Sequence, residues 1–189
     1  MNIQKLKSAF LVLLLIASAL ALASAPLPRK SPEFTIYESS GKTTLLSTLK
    51  GKVVVLEFLF IKSEHCLRIA KTLNKLHAEL GVRGFEPVGV VFDPPNTPNA
   101  GGQFLAYMVD YFKLTYPVGY SGKADVDRYL GRSGNEILRI PQVVVIDRAG
   151  MIRATSGGTG DARLEDENSL RNLVDSLLKE GETMNSGKK

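Results

Sequence analysis

One cysteine, two histidines and no tryptophan among 189 residues set the first limits on this chain. A lone Cys66 cannot form an internal disulfide, so the fold must stand on its apolar core. His65, His77 and Cys66 are too few to make a zinc site, and no metal or cofactor is expected. Gly157-Gly158-Thr159-Gly160 lacks the lysine and spacing of a phosphate loop and reads as a turn before a helix. No serine–histidine–acid set stands out. Basic residues are scattered, with only Arg29-Lys30 and Lys188-Lys189 adjacent, so there is no nucleic-acid footprint. Internal repeats are absent.

The chain has one long small-and-apolar run, Ala9 to Leu22, broken only by Ser18 and preceded by Lys5 and Lys7. Ala21-Leu22-Ala23 fits the small-x-small pattern of a cleavage site. Residues 1–23 are therefore expected to be a signal peptide, with an uncleaved membrane anchor as the alternative. No cysteine near the cleavage site offers a lipid attachment point. The expected location is periplasmic or extracellular. Removing Lys5 and Lys7 takes 24 basic residues to 22, against 19 acidic ones, a mild net charge of +3. The rest is long enough for one domain with a real core.

Residues 24–33 hold three prolines and two cations and read as an extended linker. Phe34 to Tyr37 and Thr43 to Leu46 form a hairpin around Gly41-Lys42. Val53 to Ile61 starts with no polar alternation, as in a strand buried on both faces. Ser63 is a good N-cap for a helix carrying Ile69, Leu73, Leu76 and Leu80, and Gly81 is its expected stop. Phe85 to Phe92 is a second buried strand. Asn96 to Gly102 is turn chemistry, and Phe104, Met108, Tyr111 and Phe112 mark a helix. Tyr116–Tyr120 is a short strand and Lys123–Leu130 a short helix. Gln142–Ile146 and Met151–Thr155 form a hairpin about Asp147-Arg148-Ala149-Gly150. Leu164 to Leu178 is a final amphipathic helix, and residues 181–189 are expected to be a loose tail. The order argues an α/β domain over 34–180: a mixed sheet, helices on both faces, and an N-terminal β-hairpin extension.

Ser63-Glu64-His65-Cys66 is the most informative stretch. It joins a buried strand to a helix and places a cysteine in the first turn, where the helix dipole favours a thiolate. Glu57 is the one charge in a nine-residue apolar strand. A carboxylate there is costly unless paired or protonated. It either works in a buried site or reaches solvent or Lys62.

These residues in this order resemble the thioredoxin-like superfamily, specifically its exported thiol–disulfide interchange (TlpA-like) and redoxin (AhpC/TSA-like) branch. The marks are Phe34-x-x-Tyr37, Gly41-Lys42-x-x-Leu45, Gly51-Lys52-Val53-Val54-Val55-Leu56-x-Phe58, Ser63-x-x-Cys66, Val88-Gly89-Val90-Val91, Tyr116-Pro117-Val118 and Ile140-Pro141 before Val144-Val145-Ile146-Asp147-x-x-Gly150. The resemblance implies a cis bond at Ile140-Pro141, with these two residues beside the thiol and facing substrate. It implies that Glu57 accepts a proton during exchange. His65 echoes the Pro-His of strongly oxidising dithiol proteins, or is simply an exposed histidine at the helix start. The chain departs from the pattern at the first sulfur of the dithiol, which is Ser63, and in its missing tryptophan.

With one cysteine, turnover through an internal disulfide is impossible. Three readings remain. In the first, Cys66 exchanges directly with a protein or small-molecule thiol or disulfide, with Ser63, Glu57 and His65 as catalytic companions, in the service of redox homeostasis. Ser63-x-x-Cys66 also resembles the peroxide-reducing site of one-cysteine peroxiredoxins, an antioxidant activity. Here, however, Leu59 stands at that motif's proline and Pro141 at its arginine; Arg132 and Arg139 are close in sequence but do not match. In the third reading Cys66 is inert and the domain holds extended peptide near Pro141.

Overall fold

Val53-Val54-Val55-Leu56 carries no polar alternation because both faces of its strand are covered: all seven residues of Val53–Leu59 are buried. The computed structural model describes residues 26–186, apart from 39, 61–62, 93–99 and 134–135. The leader at 1–23 lies outside the described residues. The strands are β1 Arg29–Lys30, β2 Thr35–Glu38, β3 Thr43–Leu45, β4 Val53–Leu59, β5 Phe85–Val91, β6 Val118–Tyr120, β7 Gln142–Ile146 and β8 Met151–Thr155. The helices are α1 Glu64–Leu80, α2 Ala100–Tyr111, α3 Lys123–Leu130, α4 Ala162–Glu165 and α5 Glu167–Ser186. The strands join one mixed sheet in the order β1-β8-β7-β4-β5-β6-β2-β3. β4 lies at its middle, parallel to β5 and antiparallel to β7. This is the thioredoxin-like architecture, with the β2–β3 hairpin added along β6.

Strand alternation divides β4 between two cores. Val53, Val55 and Leu59 join Leu73 and Leu76 of α1, Met108 of α2 and Val174 of α5. Val54, Leu56 and Phe58 join the opposite core with Ile36 of the hairpin and Val126 and Tyr129 of α3. Phe34, Phe58 and Tyr129 meet there with ring centroids 5.1–5.6 Å apart. The same alternation points Glu57 into the first core, towards α1.

Several boundaries differ from the sequence expectation. The proline-rich linker is partly docked: Arg29 and Lys30 pair with Ile152 and Met151 at the sheet edge. Gly81 stays right-handed (φ −57°), and the chain turns out of α1 only at Gly84, φ +93°. Ala100 to Gly102 belong to the start of α2 rather than to a turn. The last helix is two, because Asp166 leaves helical geometry and its Oδ1 accepts from Ser169 N at 2.9 Å. The second of these helices runs past Gly181 to Ser186, so the first part of the supposed tail is helical.

Candidate functional site

The carboxyl end of β4 meets the amino end of α1. Ser63 N donates to Phe60 O at 3.1 Å, turning the chain back into the helix. Ser63 is the N-cap, as its residue type predicts, and its Oγ accepts from Cys66 N at 3.4 Å. β7 places Gln142 opposite Phe58, so Pro141 arrives at this same end of the sheet. The Ile140-Pro141 bond is cis. Pro141 is buried and Ile140 half-buried. Gln142 Nε2 donates to Arg139 O at 2.6 Å and closes the turn before β7.

Cys66 departs from the expectation of an open, activated thiol. It is 0% exposed and packs in the core with Ile69, Leu73 and Val143. Burial pushes its thiol up from 9.0 to about 11. Ser63 and the Phe60 backbone oppose that rise, and Glu57 adds to it. The benefit of the helix terminus is thus outweighed by loss of water. A thiol so placed is protonated at neutral pH and is a poor nucleophile.

Glu57 is also 0% exposed, and neither carboxylate oxygen has a hydrogen-bond partner. The reading in which it reaches solvent is therefore excluded; Lys62 lies outside the described residues. Burial alone raises its pKa well above the usual range, which keeps the acid neutral. Tyr116 belongs to the same core, and burial together with Glu57 pushes its phenol up as well. Its hydroxyl donates to Ala70 O at 3.3 Å. Sequence reading placed Tyr116 in a strand and missed it as a neighbour of Glu57.

The contacts of His65 are with Arg68 and Glu165. It is exposed, accepts from Arg68 Nη2 at 2.9 Å through Nδ1, and lies 3.9 Å from the Glu165 carboxylate. His77 belongs to another place, with Nδ1 3.0 Å from Thr115 Oγ1. Among the described residues no three His, Cys, Asp or Glu side chains are grouped to hold a metal ion. No helix among them is long and apolar enough to cross a membrane.

The chain matches the AhpC/TSA family over residues 28–155, most of the domain, and belongs to that family. Its fold is shared with thiol:disulfide interchange proteins. One is a thioredoxin family protein of Chlorobium tepidum: 20% identity, TM-score 0.65, covering 82% of this chain and 99% of that one. A structure named as a candidate protein disulfide isomerase of Bacteroides thetaiotaomicron has 26% identity and TM-score 0.65, covering 85% and 94%. A secreted Mycobacterium tuberculosis disulfide oxidoreductase homologous to DsbE has 17% identity and TM-score 0.58, covering 76% and 96%. No curated protein matches.

Proposed function

We propose that this chain is an exported thioredoxin-fold protein that binds extended thiol- or disulfide-bearing polypeptide beside Ile140-Pro141, with Cys66 a buried structural thiol at rest. One observation carries the reading: the only cysteine is covered by the core with its thiol near 11, while the half-exposed position at the helix start holds the Ser63 hydroxyl. A hydroxyl has neither the acidity nor the sulfur for disulfide attack. The signal-like residues 1–23 support export.

Single-cysteine exchange is the second reading. Membership of the AhpC/TSA family favours it, as does the position of Cys66 one turn beneath a half-exposed cap. It requires the first turn of α1 to open before the sulfur can react.

Alkylation of the native protein separates the two. A thiol near 11 instead of 9.0 has about 100-fold less thiolate at neutral pH. Native labelling of Cys66 is expected to be slower than labelling in denaturant by at least about that factor, and to rise with pH toward 11. Rapid native labelling, with a glutathione adduct lost in Cys66→Ser, overturns the binding reading in favour of exchange. Sulfenic acid at low peroxide overturns it in favour of peroxidase chemistry.

A further inference from the structure

The carboxyl end of β4 leads to Cys66; its other end opens into a separate cleft of about 240 Å³. About 20 Å of strand lies between the two. The cleft has an apolar floor drawn from three segments: Leu46 and Leu49 of the 3₁₀ turn after β3, Val54 of β4 and Ile146 of β7. Residues 30–33 and Ala149-Gly150 complete its lining. Ser31 N donates to Gly150 O at 2.9 Å and ties these two segments together.

The charges lining this cleft do not cancel. Its two acids are already engaged. Glu33 Oε1 accepts from Phe34 N and Ser47 N, both at 3.0 Å. Asp147 Oδ1 accepts from Ala149 N at 2.9 Å and Met151 N at 3.0 Å, and its Oδ2 lies 3.1 Å from Arg153 Nη1. Lys52 pairs with Glu86, which lies outside the cleft. The other two lining lysines, Lys30 and Lys50, have no acidic partner among the described residues. The Lys50 stem lies over Gly150, with Cε 3.7 Å from where a Cβ on that residue would stand. Two ammonium groups without a counter-charge thus border an apolar floor.

Sites for small molecules combine an apolar lining with a few placed polar groups, and this cleft has that make-up. Its volume equals that of about eight water-sized groups. We propose that it binds a small amphipathic carboxylate, with the anionic head against Lys30 and Lys50 and a short apolar body on Leu46, Leu49, Val54 and Ile146. The site is separate from Cys66 and does not rest on the peptide-binding reading above.

Titration of the full mature chain with hexanoate, followed through its amide NMR shifts, tests the proposal. Hexanoate has the size of the cleft, hexanol the same apolar body without charge, and hexylammonium the opposite charge. Hexanoate is expected to shift the amides of Ser47, Lys50 and Gly150. It should bind about tenfold more tightly than hexylammonium at low salt, with hexanol between them and the difference shrinking at about 0.5 M salt. The double variant Lys30→Glu, Lys50→Glu is expected to reverse the preference, whereas Lys71→Glu, on α1 across the sheet, leaves it unchanged. All three side chains are exposed, and unchanged circular dichroism verifies the fold of the variants. Hexanoate shifts centred away from the cleft, equal affinity for the two charged probes, or a preference that survives the double variant overturns the proposal.

Discussion

The interior of the site and its rim are built on opposite terms. Inside, Cys66, Glu57 and Tyr116 are titratable groups sealed from water and held in their neutral forms by burial. On the rim, Ile137 is 90% exposed and Arg139 is exposed. The titratable groups are closed to water, and the side chains of the rim are exposed to it. The two regions depend on different parts of the chain: the first turn of α1, and the approach to β7.

The comparison breaks most sharply if a sulfur is restored at the outer position. Ser63→Cys is expected to create an internal disulfide with Cys66 and to confer catalysed reduction of insulin disulfides, from none in the wild type to a rate measurable above background. Ser63→Cys without turnover would mean that the interior is closed to partners even with both sulfurs present.

Glu57→Gln sharpens the interior side. The folded pKa of Glu57 is raised, so the unfolded chain loses this proton first as pH rises. Above about 4.5 the wild type is therefore progressively destabilised, until the folded acid itself ionises. The variant should melt higher than wild type at pH 8, each kcal/mol being about 2–4 °C, and the gain should vanish near pH 4. A gain independent of pH would show that Glu57 is not held neutral.

Smaller effects follow at the boundary between the two regions. Ser63→Ala removes the cap of α1 and is expected to cost about 1 kcal/mol, read as a lower Tm. Arg139→Ala, on the rim, should change stability by less than about 0.5 kcal/mol in a denaturant titration. A large loss there would mean that Arg139 is structural.

Much of the fold was legible in the order of elements, because buried strands and amphipathic helices write their periods into local sequence. Val53–Leu56, Ile69–Leu80 and the Gln142–Thr155 hairpin are cases in which burial and pattern agree. The Ser63 cap was legible for the same reason, since its hydrogen bond spans three residues. The docked strand at Arg29-Lys30 was not, because its partner β8 lies more than a hundred residues away. The helix stop moved from Gly81 to Gly84 because a glycine marks where a left-handed turn is possible, and does not force one.

By itself the sequence determined that there is one cysteine, that it stands at a helix start, and that no internal disulfide can form. Those are facts of composition and local spacing. Only the tertiary structure decided whether that sulfur meets water. The Cys66 thiol is governed by what α1, β4 and β7 pack around it, and desolvation by distant residues outweighs the local dipole and serine that favour ionisation.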